Sequence, residues 1–313
     1  SRGLGDVYKR QIKYPAGKSL KNFNIPNGVK SLDGYSFCNC SNLTSINIPE
    51  SVTYIGIGAF YLCTNLKSIA IPDSVTKIEN ITFTGCSSLT SISIPESVTY
   101  IGLDAFKDCT SLTSIYIPDS VTLTGLSGTF SGCTSLTNVK LPDVIYIIST
   151  NTFAGCSSLL NIIIPDSVTS IKECAFEGCK SLTNIAIPES VTKIKTWAFK
   201  DCTSLKSIAI NNPDCEISNA KDTIPETAVI YGYKNSTAQT YAESFNRKFI
   251  SLEEIGDISG NGEIDLYDAI EIAKAIMGMR TFTEEEKLIA DFNKDGTVDL
   301  YDAIEIARTL LPK

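Results

Sequence analysis

Residues 86–108 read CSSLTSISIPESVTYIGLDAFKD, and close copies of this 23-residue unit fill most of the 313-residue chain. The cysteine of the unit recurs in steps of 23 residues, with a single step of 24, at Cys40, Cys63, Cys86, Cys109, Cys133, Cys156, Cys179 and Cys202. The same spacing holds for Phe37, Phe60, Phe83, Phe106, Phe130, Phe153, Phe176 and Phe199, and for Pro26, Pro49, Pro72, Pro95, Pro118, Pro142, Pro165 and Pro188. Repetition at this period is typical of a solenoid, in which each repeat forms one coil of a stack.

Each unit predicts two short strands and a closing turn. In the copy that begins at Cys40, the pattern L-x-x-I-x-I places Leu43, Ile46 and Ile48 on the inner side of a short strand. Pro49 ends that strand, because proline lacks the N–H group that a ladder requires. The S-V-T-x-I segment predicts a second short strand, and the A-F step closes the coil. Since one coil cannot bury its apolar side alone, we expect eight coils stacked at about 4.8 Å around one core.

The eleven cysteines allow three interpretations. Neighbouring cysteines of the column would point the same way at a spacing of about 4.8 Å, whereas a disulfide needs sulfur atoms about 2.05 Å apart on converging side chains. We therefore favour buried thiols that fill the core over a series of disulfides. A zinc site is disfavoured further, because the sequence has no C-x-x-C motif and no histidine. Cys38, Cys174 and Cys215 are out of register, and their exposure and redox state stay open.

Over about residues 12–250 the chain resembles the BspA-like class of bacterial leucine-rich repeats, through its column spacing, its I-P step and its A-F-x-x-C step. The resemblance implies a leucine-rich-repeat β-solenoid over residues 12–228 and a closing cap over residues 229–251. Residues 14–18, YPAGK, resemble the end of the family's leader segment. Residues 1–11, SRGLGDVYKRQ, fit no repeat and resemble translated sequencing-adapter read-through. We therefore expect that the native N-terminus, with any signal peptide, is lost.

One column of the unit faces outward, at the variable position between the two isoleucines of L-x-x-I-x-I. It holds Asn47, Ala70, Ser93, Tyr116, Lys140, Ile163, Ala186 and Ala209. Three of these, Tyr116, Lys140 and Ile163, form a candidate recognition strip for a ligand of the solenoid. The consensus also breaks nearby, with an extra residue within 123–127 and a lost S-V-T step at 144–148. Repeat drift without any binding role is the alternative interpretation of both features.

The C-terminal segment has a different composition. Residues 256–313 carry 13 acidic and 6 basic side chains, and so hold most of the net charge of −8. Clustered carboxylates favour cations over nucleic acid. Two twelve-residue segments lie 34 residues apart, DISGNGEIDLYD at 257–268 and DFNKDGTVDLYD at 291–302, and each precedes an amphipathic helical pattern. The duplication predicts two loops of one kind.

Both loops have the spacing of EF-hand calcium ligands, which supply six to eight hard oxygen atoms from positions 1, 3, 5, 7, 9 and 12. The predicted ligands of the first loop are Asp257, Ser259, Asn261, the carbonyl of Glu263, Asp265 and Asp268. Those of the second are Asp291, Asn293, Asp295, the carbonyl of Thr297, Asp299 and Asp302. Gly262 and Gly296 occupy position 6, where the chain turns sharply. The sequence thus predicts two Ca²⁺ sites, the tighter one in the second loop, which has four acidic side-chain ligands against three.

The aspartate at position 12, in place of the usual glutamate, together with the duplication, resembles a type I dockerin over residues 256–313. The fold implied is a small all-α domain with two F-hand loops, which are EF-hand-like loops each followed by one helix. The resemblance implies that a cohesin module of a scaffoldin contacts Leu266, Tyr267, Lys274, Leu300, Tyr301 and Arg308. Because the two copies are nearly identical there, it also implies a dual binding mode. Many dockerins carry serine or threonine where this chain has Leu-Tyr, so the cohesin specificity stays open.

Several classes of function are disfavoured. The absence of histidine excludes His-dependent triads and most catalytic zinc sites. No basic patch with interleaved aromatic residues suggests nucleic acid, and no stretch approaches the roughly 20 apolar residues of a membrane span. A carboxylate hydrolase is also disfavoured, because the acids that follow the prolines recur as surface turn residues, at Glu50, Asp73, Glu96, Asp119, Asp166 and Glu189.

The sequence therefore predicts a secreted, extracellular, non-catalytic interaction protein. The solenoid would bind a protein or glycan target, while calcium-dependent binding to cohesin anchors the chain to a cellulosome-type scaffold for polysaccharide degradation. A cell-surface adhesin is one alternative. Another is an accessory inhibitor or carbohydrate-binding component of the complex.

Overall fold

The computed structural model describes residues 11–12, 21–124 and 126–311. Residues 1–10 of the foreign-looking segment, the leader segment at 14–18 and Gly125 of the irregular stretch lie outside the described residues. Gln11 lies inside them, in a two-residue strand that pairs with Ser31–Leu32. None of the helices in these ranges has the length and apolar character needed to cross a membrane.

Short parallel strands form one side of the solenoid, which we call the first ladder. Each central isoleucine or valine points inward between outward neighbours, as Ile46 does in its strand. Strands one coil apart pair in register, so that Ile69 lies opposite Ile92. The strands are β2 (Asn22–Asn24), β4 (Ser45–Asn47), β6 (Ser68–Ala70), β8 (Ser91–Ser93), β10 (Ser114–Tyr116), β12 (Asn138–Lys140), β15 (Asn184–Ile187) and β17 (Ser207–Ile210).

A second ladder of two-residue strands lies where the S-V-T-x-I segments were predicted. Its strands are β1 (Gln11–Ile12), β3 (Ser31–Leu32), β5 (Tyr54–Ile55), β7 (Lys77–Ile78), β9 (Tyr100–Ile101), β11 (Leu123–Thr124), β13 (Ile147–Ile148), β14 (Ser170–Ile171), β16 (Lys193–Ile194) and β18 (Glu216–Ile217). The stack has about ten coils, two more than the cysteine column counts. The predicted β-solenoid is confirmed.

The strand pairing of the first ladder is interrupted twice, between β8 and β10 and, with the loss of a whole strand, between β12 and β15. Residues 161–163 were predicted to form a strand, but they have no regular secondary structure. Ile162 and Ile164 still point inward and are buried, whereas Ile163 is 86% exposed. The coil therefore keeps its core residues and loses only its backbone pairing on this side.

A third side is built by the A-F turns and a column of stacked rings. The rings of Phe37 through Phe199 lie 5.3–5.7 Å apart between centroids, with 2–16° between neighbouring planes. The N–H of Phe60 donates to the carbonyl of Thr82 in the next coil at 2.9 Å. Two residues per turn adopt positive φ, including the β-branched Ile81 at 50°. Ile81 accepts this strained conformation because its own N–H also bonds to the next coil, at Leu103.

The repeat cysteines are free thiols that lie in the core. From Cys63 to Cys202, each thiol donates to the carbonyl of the phenylalanine one coil earlier, at 3.0–3.2 Å. Burial raises the pKa of the Cys86 thiol to about 12, so it stays protonated and can donate. Of the three cysteines out of register, Cys38 and Cys174 are half-buried, whereas Cys215 is fully buried.

The last coil is closed by strand β19 (Val229–Gly232), helix α1 (Thr237–Ser244) and strand β20 (Phe249–Ser251), after a 3₁₀ turn at Lys221–Thr223. Ser236 begins the helix by accepting from the N–H of Gln239 at 3.2 Å. The buried Tyr241 hydroxyl donates to the backbone carbonyl of Ala220 at 3.0 Å. This segment thereby covers the apolar end that an open stack would expose.

The C-terminal segment, residues 256–311, which we call the tail, contains helices α2 (Leu266–Ile276), α3 (Glu284–Ala290) and α4 (Leu300–Thr309). Its small core consists of Ile258, Ala269, Ile272, Phe282, Ala290, Ala303 and Ile306. A second apolar cluster joins the tail to the solenoid through Ile255 and Phe292. As a result Ala209, predicted to face solvent, is only 4% exposed, because the tail covers it.

Candidate functional site

The first acidic loop folds around its own backbone amides. The carboxylate of Asp257 accepts from the N–H groups of Asn261 at 3.0 Å and Gly262 at 2.8 Å. At the other end of the loop, Asp268 accepts from the N–H groups of Ser259 at 2.9 Å and Asp265 at 2.8 Å. Positions 1 and 12 thus hold the loop closed from both ends.

The second loop repeats this pattern position by position. Asp291 accepts from the N–H groups of Asp295 at 3.0 Å and Gly296 at 2.8 Å. Asp302 accepts from Asn293 at 3.1 Å and Asp299 at 2.9 Å. The duplicated sequence therefore gives two loops of one geometry.

The remaining predicted ligands line the same loops. Ser259 Oγ donates to Asp257 at 3.2 Å, and Asn261 Oδ1 accepts from the N–H of Glu263 at 2.8 Å. In the second loop, Asp295 accepts from both the N–H and the hydroxyl of Thr297. Oδ1 of Asp257 and Oδ1 of Asp295 each accept two bonds. The oxygen atoms of Asp268 and Asp302 accept one bond each and keep a free lone pair.

Position 6 is a glycine because of its backbone angle. Gly262 has a φ of 88° and Gly296 a φ of 89°, a region that side chains with a Cβ rarely adopt. Each loop then leads directly into a helix. Asp265 caps α2 and Asp299 caps α4, in capping boxes that Asp268 and Asp302 complete. One aspartate thus serves both the loop and the start of its helix.

The electrostatics of the loops favour a cation. Asp268 and Asp302 are fully buried, and Asp291 is nearly so. Burial raises the pKa of Asp291 to about 6, although the N–H of Gly296 lowers it. Burial likewise raises the pKa of Asp302. Buried carboxylates in one loop destabilise each other unless a cation or a proton neutralises them.

The donor set fits calcium better than other metals. All predicted ligands are oxygen atoms, which hard cations prefer, whereas zinc prefers cysteine and histidine. Among the described residues, no three acidic or thiol side chains are gathered closely enough to form a metal cluster. The carboxylate oxygen atoms instead accept hydrogen bonds from backbone N–H groups of their own loop. These residues could hold a cation if the carboxylates turned toward the centre of the loop.

A pair of exposed apolar residues occupies positions 10 and 11 of each loop. Leu266 and Tyr267 begin α2, and Leu300 and Tyr301 begin α4, all more than half exposed. Our sequence analysis missed Ile270 and Ile304, which lie one turn further along the same helix faces and are also exposed. The i, i+4 spacing from Leu266 and Leu300 could have identified them.

The basic residues of the two copies have equivalent glutamate partners, but the first copy carries one additional arginine in its network. Lys274 bonds to Glu271 at 2.6 Å, and its Nζ lies 5.5 Å from the Tyr267 ring centroid. Arg280 also bonds to Glu271 and holds Glu286 at 2.5 Å. Arg308 pairs with Glu305 at 2.7 Å and is largely exposed. The two copies therefore share one ion pair at this end, and Arg280 extends it only in the first copy.

The recognition strip lies at the break in the first ladder. Tyr116 and Lys140 are paired neighbours on β10 and β12. Lys140 Nζ donates to Asp143 and to the carbonyl of Leu141, both at 2.8 Å. Ile163 is on the next coil, and a cleft of about 350 Å³ lies between residues 138–143 and 161–165. The strip thus combines an aromatic ring, a cation and an aliphatic side chain beside a cleft.

Comparison with known families matches both parts of the chain. Residues 14–127 and 124–221 match the BspA type leucine rich repeat region, in six copies, and residues 255–311 match the dockerin type I domain. Type I dockerin domains bind calcium in general, and both families are typically non-catalytic. No curated protein matches the sequence.

Solved bacterial structures share the fold. A leucine-rich repeat protein from Bacteroides ovatus is 28% identical with a TM-score of 0.57, over 80% of this chain and 70% of that one. The pneumococcal vaccine antigen PcpA is 19% identical with a TM-score of 0.54, over 77% of this chain and 71% of its own, and shows the fold alone. The chain therefore belongs to the BspA-type leucine-rich-repeat proteins and carries a C-terminal type I dockerin domain.

Proposed function

We propose that this chain is a non-catalytic adaptor that two calcium ions switch into a cohesin-binding state. The observation that carries the proposal is the duplicated acidic loop, in which a buried position-12 aspartate comes directly after an exposed Leu-Tyr pair. We divide the chain accordingly into a solenoid over 12–228, a cap over 229–251 and a dockerin over 256–313. The dockerin would moor the chain, and the solenoid would present a target.

Calcium has a clear physical role in this scheme. Without a cation, the carboxylates of each loop face one another and cost stability. A cation bound by positions 1, 3, 5, 7, 9 and 12 would neutralise them and fix the start of the following helix, because Asp265 and Asp299 belong to both loop and cap. Calcium would thereby order the residues that contact the partner.

The partner surface is apolar at its centre and basic at its edge. Tyrosine is enriched among the few residues that supply most of the binding energy of protein interfaces, and each tyrosine here has an exposed leucine beside it. Lys274 and Arg308, near the ends of their helices, would add charge complementarity to an acidic rim. Since both copies present Leu, Tyr and Ile at equivalent positions, either copy could dock on one cohesin.

The solenoid's target is a protein or a glycan that binds the strip of Tyr116, Lys140 and Ile163. The cleft beside Ile163 and the interrupted ladder support this location. The two families support an extracellular site of action, on a cellulosome-type scaffold or at the cell surface. An adhesin, and an accessory inhibitor or carbohydrate-binding component, are the alternative roles.

No catalytic role is part of the proposal. The repeated acids after the prolines lie in equivalent exposed or half-exposed turns, and Asp119 is bridged by Lys140 at 3.8 Å. Such regular surface placement differs from a paired acid and base in a shared cleft.

The decisive experiment measures binding of the full chain to a panel of cohesin modules, with 2 mM calcium as a rough working level above sensor-type dissociation constants and with excess chelator. We expect tight binding that chelator abolishes. Replacing Leu266, Tyr267, Leu300 and Tyr301 together by alanine should abolish it as well, whereas the exposed solenoid residue Tyr146, replaced alone by alanine, should leave it unchanged. Calcium-dependent folding of the tail without any cohesin binding would instead support the adhesin role.

A further inference from the structure

At position 6, the second acidic loop lies against the strand face of the solenoid, whereas the first loop does not. Ser207 Oγ, in β17, donates to the carbonyl of Lys294 at 3.2 Å. A Cβ atom added at Gly296 would lie 3.2 Å from Cδ of Lys206, while one added at the equivalent Gly262 would meet nothing within 4 Å. Positions 4 and 6 of one loop therefore touch the solenoid, and position 6 of the other is open to solvent.

The residue at position 2 shows the same difference. Phe292 packs in a cluster that contains Tyr231 and Ile250 of the cap together with Ile255. Its equivalent in the first loop, Ile258, packs only in the core of the tail. Tyr231 is 1% exposed, although its strand neighbours would place it on the outer face of β19. The tail has thus buried a solenoid residue that the repeat alone would leave exposed.

The different exposure of two alanines in one column shows how far the contact between the tail and the solenoid extends. Ala186 and Ala209 are direct neighbours on β15 and β17 and face the same way. Ala186 is exposed, whereas Ala209 is buried in the cluster with Tyr231 and Phe292. The edge of the contact therefore falls between these two coils.

We propose that the solenoid completes the second calcium loop, so that calcium binding there and docking of the tail on the solenoid are linked, while the first loop binds calcium independently. This rests on the proposed calcium function of the loops. Residues 291–296 supply three of the predicted ligands and also form the contact with β17. Docking on the solenoid orders residues 291–296, so calcium binding then costs less conformational entropy. Calcium binding favours docking for the same reason, and each event therefore strengthens the other.

The test replaces Ala209 by a longer neutral side chain, Ala209→Gln, which adds no charge near the calcium. Ala186→Gln is the matched control on the neighbouring coil. The affinity of each loop is followed in the intact chain through the glycine amide NMR signals of Gly262 and Gly296, because these N–H groups donate to Asp257 and Asp291. Calcium is titrated into the wild type and both variants.

We expect Ala209→Gln to weaken the response of Gly296 to calcium by at least about tenfold, the typical scale of coupling between sites, and to leave that of Gly262 within about twofold. Ala186→Gln should change neither. Equal responses in wild type and Ala209→Gln, or equal weakening of both loops, would overturn the linkage. If neither glycine responds to calcium in the wild type, the proposed calcium function itself fails.

Small-angle scattering supplies a second readout that does not depend on the loops. Calcium should make the wild type and Ala186→Gln more compact and should leave Ala209→Gln extended. If Ala209→Gln does not fold, the shorter Ala209→Asn replaces it in both measurements. If the variant at Ala209 becomes as compact as the wild type when calcium is added, this would again contradict the linkage.

Discussion

The solenoid and the tail are stabilised in opposite ways. In the solenoid, eight successive coils stack phenylalanine on phenylalanine, and most coils place isoleucine on isoleucine, so its core is continuous and almost entirely apolar. The tail has a core of a few small and medium side chains, among them three alanines, and its loops are held by carboxylates on backbone amides. Apolar burial therefore dominates one part, and electrostatics dominates the other.

This difference teaches how each part responds to its surroundings. Solenoid stability is a sum of similar coil contacts, which no cation enters. The tail resembles small metal-dependent domains, in which binding energy supplies much of the folding energy. The following experiments test that contrast, from the largest expected effect to the smallest.

Removing calcium should have the largest effect, and only on the tail. With excess chelator we expect helices α2 and α4 to lose their protection, because the carboxylates of the loops repel one another, while strands such as β6 and β8 keep theirs. Amide hydrogen exchange resolved by residue measures both regions in one sample. Equal protection of α2 and α4 with and without calcium would contradict the contrast.

Truncation of one ring in the aromatic column should affect only the solenoid. Phe130→Ala is expected to lower the free energy of unfolding by about 3–5 kcal/mol, because it leaves a cavity between two stacked rings. Thermal and denaturant unfolding measure the change, and calcium titration should show unchanged affinities. The exposed Tyr146→Ala serves as control and should stay within about 0.5 kcal/mol of the wild type. A comparable loss in that control would mean that the column is not what stabilises the stack.

Exchange of position 5 between the loops should shift calcium affinity by about tenfold, in line with charge-dependent tuning of such loops. Asp295→Asn removes one acidic ligand from the second loop, and Asn261→Asp adds one to the first, so the predicted order of affinities should reverse. Calorimetry of each single variant and of the double exchange measures this. A harmless Asp295→Ala, with Asp257→Ala abolishing all binding, would refute the predicted order.

Reduction should have the smallest effect, below detection. Because the cysteines of the described chain are free thiols, a reducing agent should leave the unfolding temperature of the solenoid unchanged. Differential scanning calorimetry with and without reductant tests this directly. A lower unfolding temperature under reduction would reveal disulfides and would weaken the view of the solenoid as a purely noncovalent stack.

Most of the solenoid could be predicted because its contacts are periodic. Each column repeats one residue type, so the inward direction of Leu43 or Ile46 follows from spacing alone. The contact of each thiol with a phenylalanine carbonyl did not follow, because backbone directions in the A-F turn depend on positive φ at unexpected residues such as Ile81. The missing strand at 161–163 has no evident cause in its own sequence.

The tail was predictable in its duplicated loops and helices but not in its placement. Loop spacing predicts the candidate oxygen donors, and helical spacing could have added Ile270 and Ile304. The burial of Ala209 could not be predicted from the sequence, because the contact between the tail and the solenoid is not part of the periodic pattern. Residue spacing predicts contacts within and between repeats, whereas the contact between the tail and the solenoid is seen only in the structure.

The uniform coil also makes the chain's length adjustable in steps. A deletion or duplication of 23 residues in the regular part, such as residues 63–85, removes or adds one whole layer and leaves every column aligned. Placed between Ile163 and Ala209, one added layer would move the recognition strip about 4.8 Å further from the moored end. Recombination between repeats can therefore change the distance between the recognition strip and the dockerin in steps of one layer, while the residues at both ends stay the same.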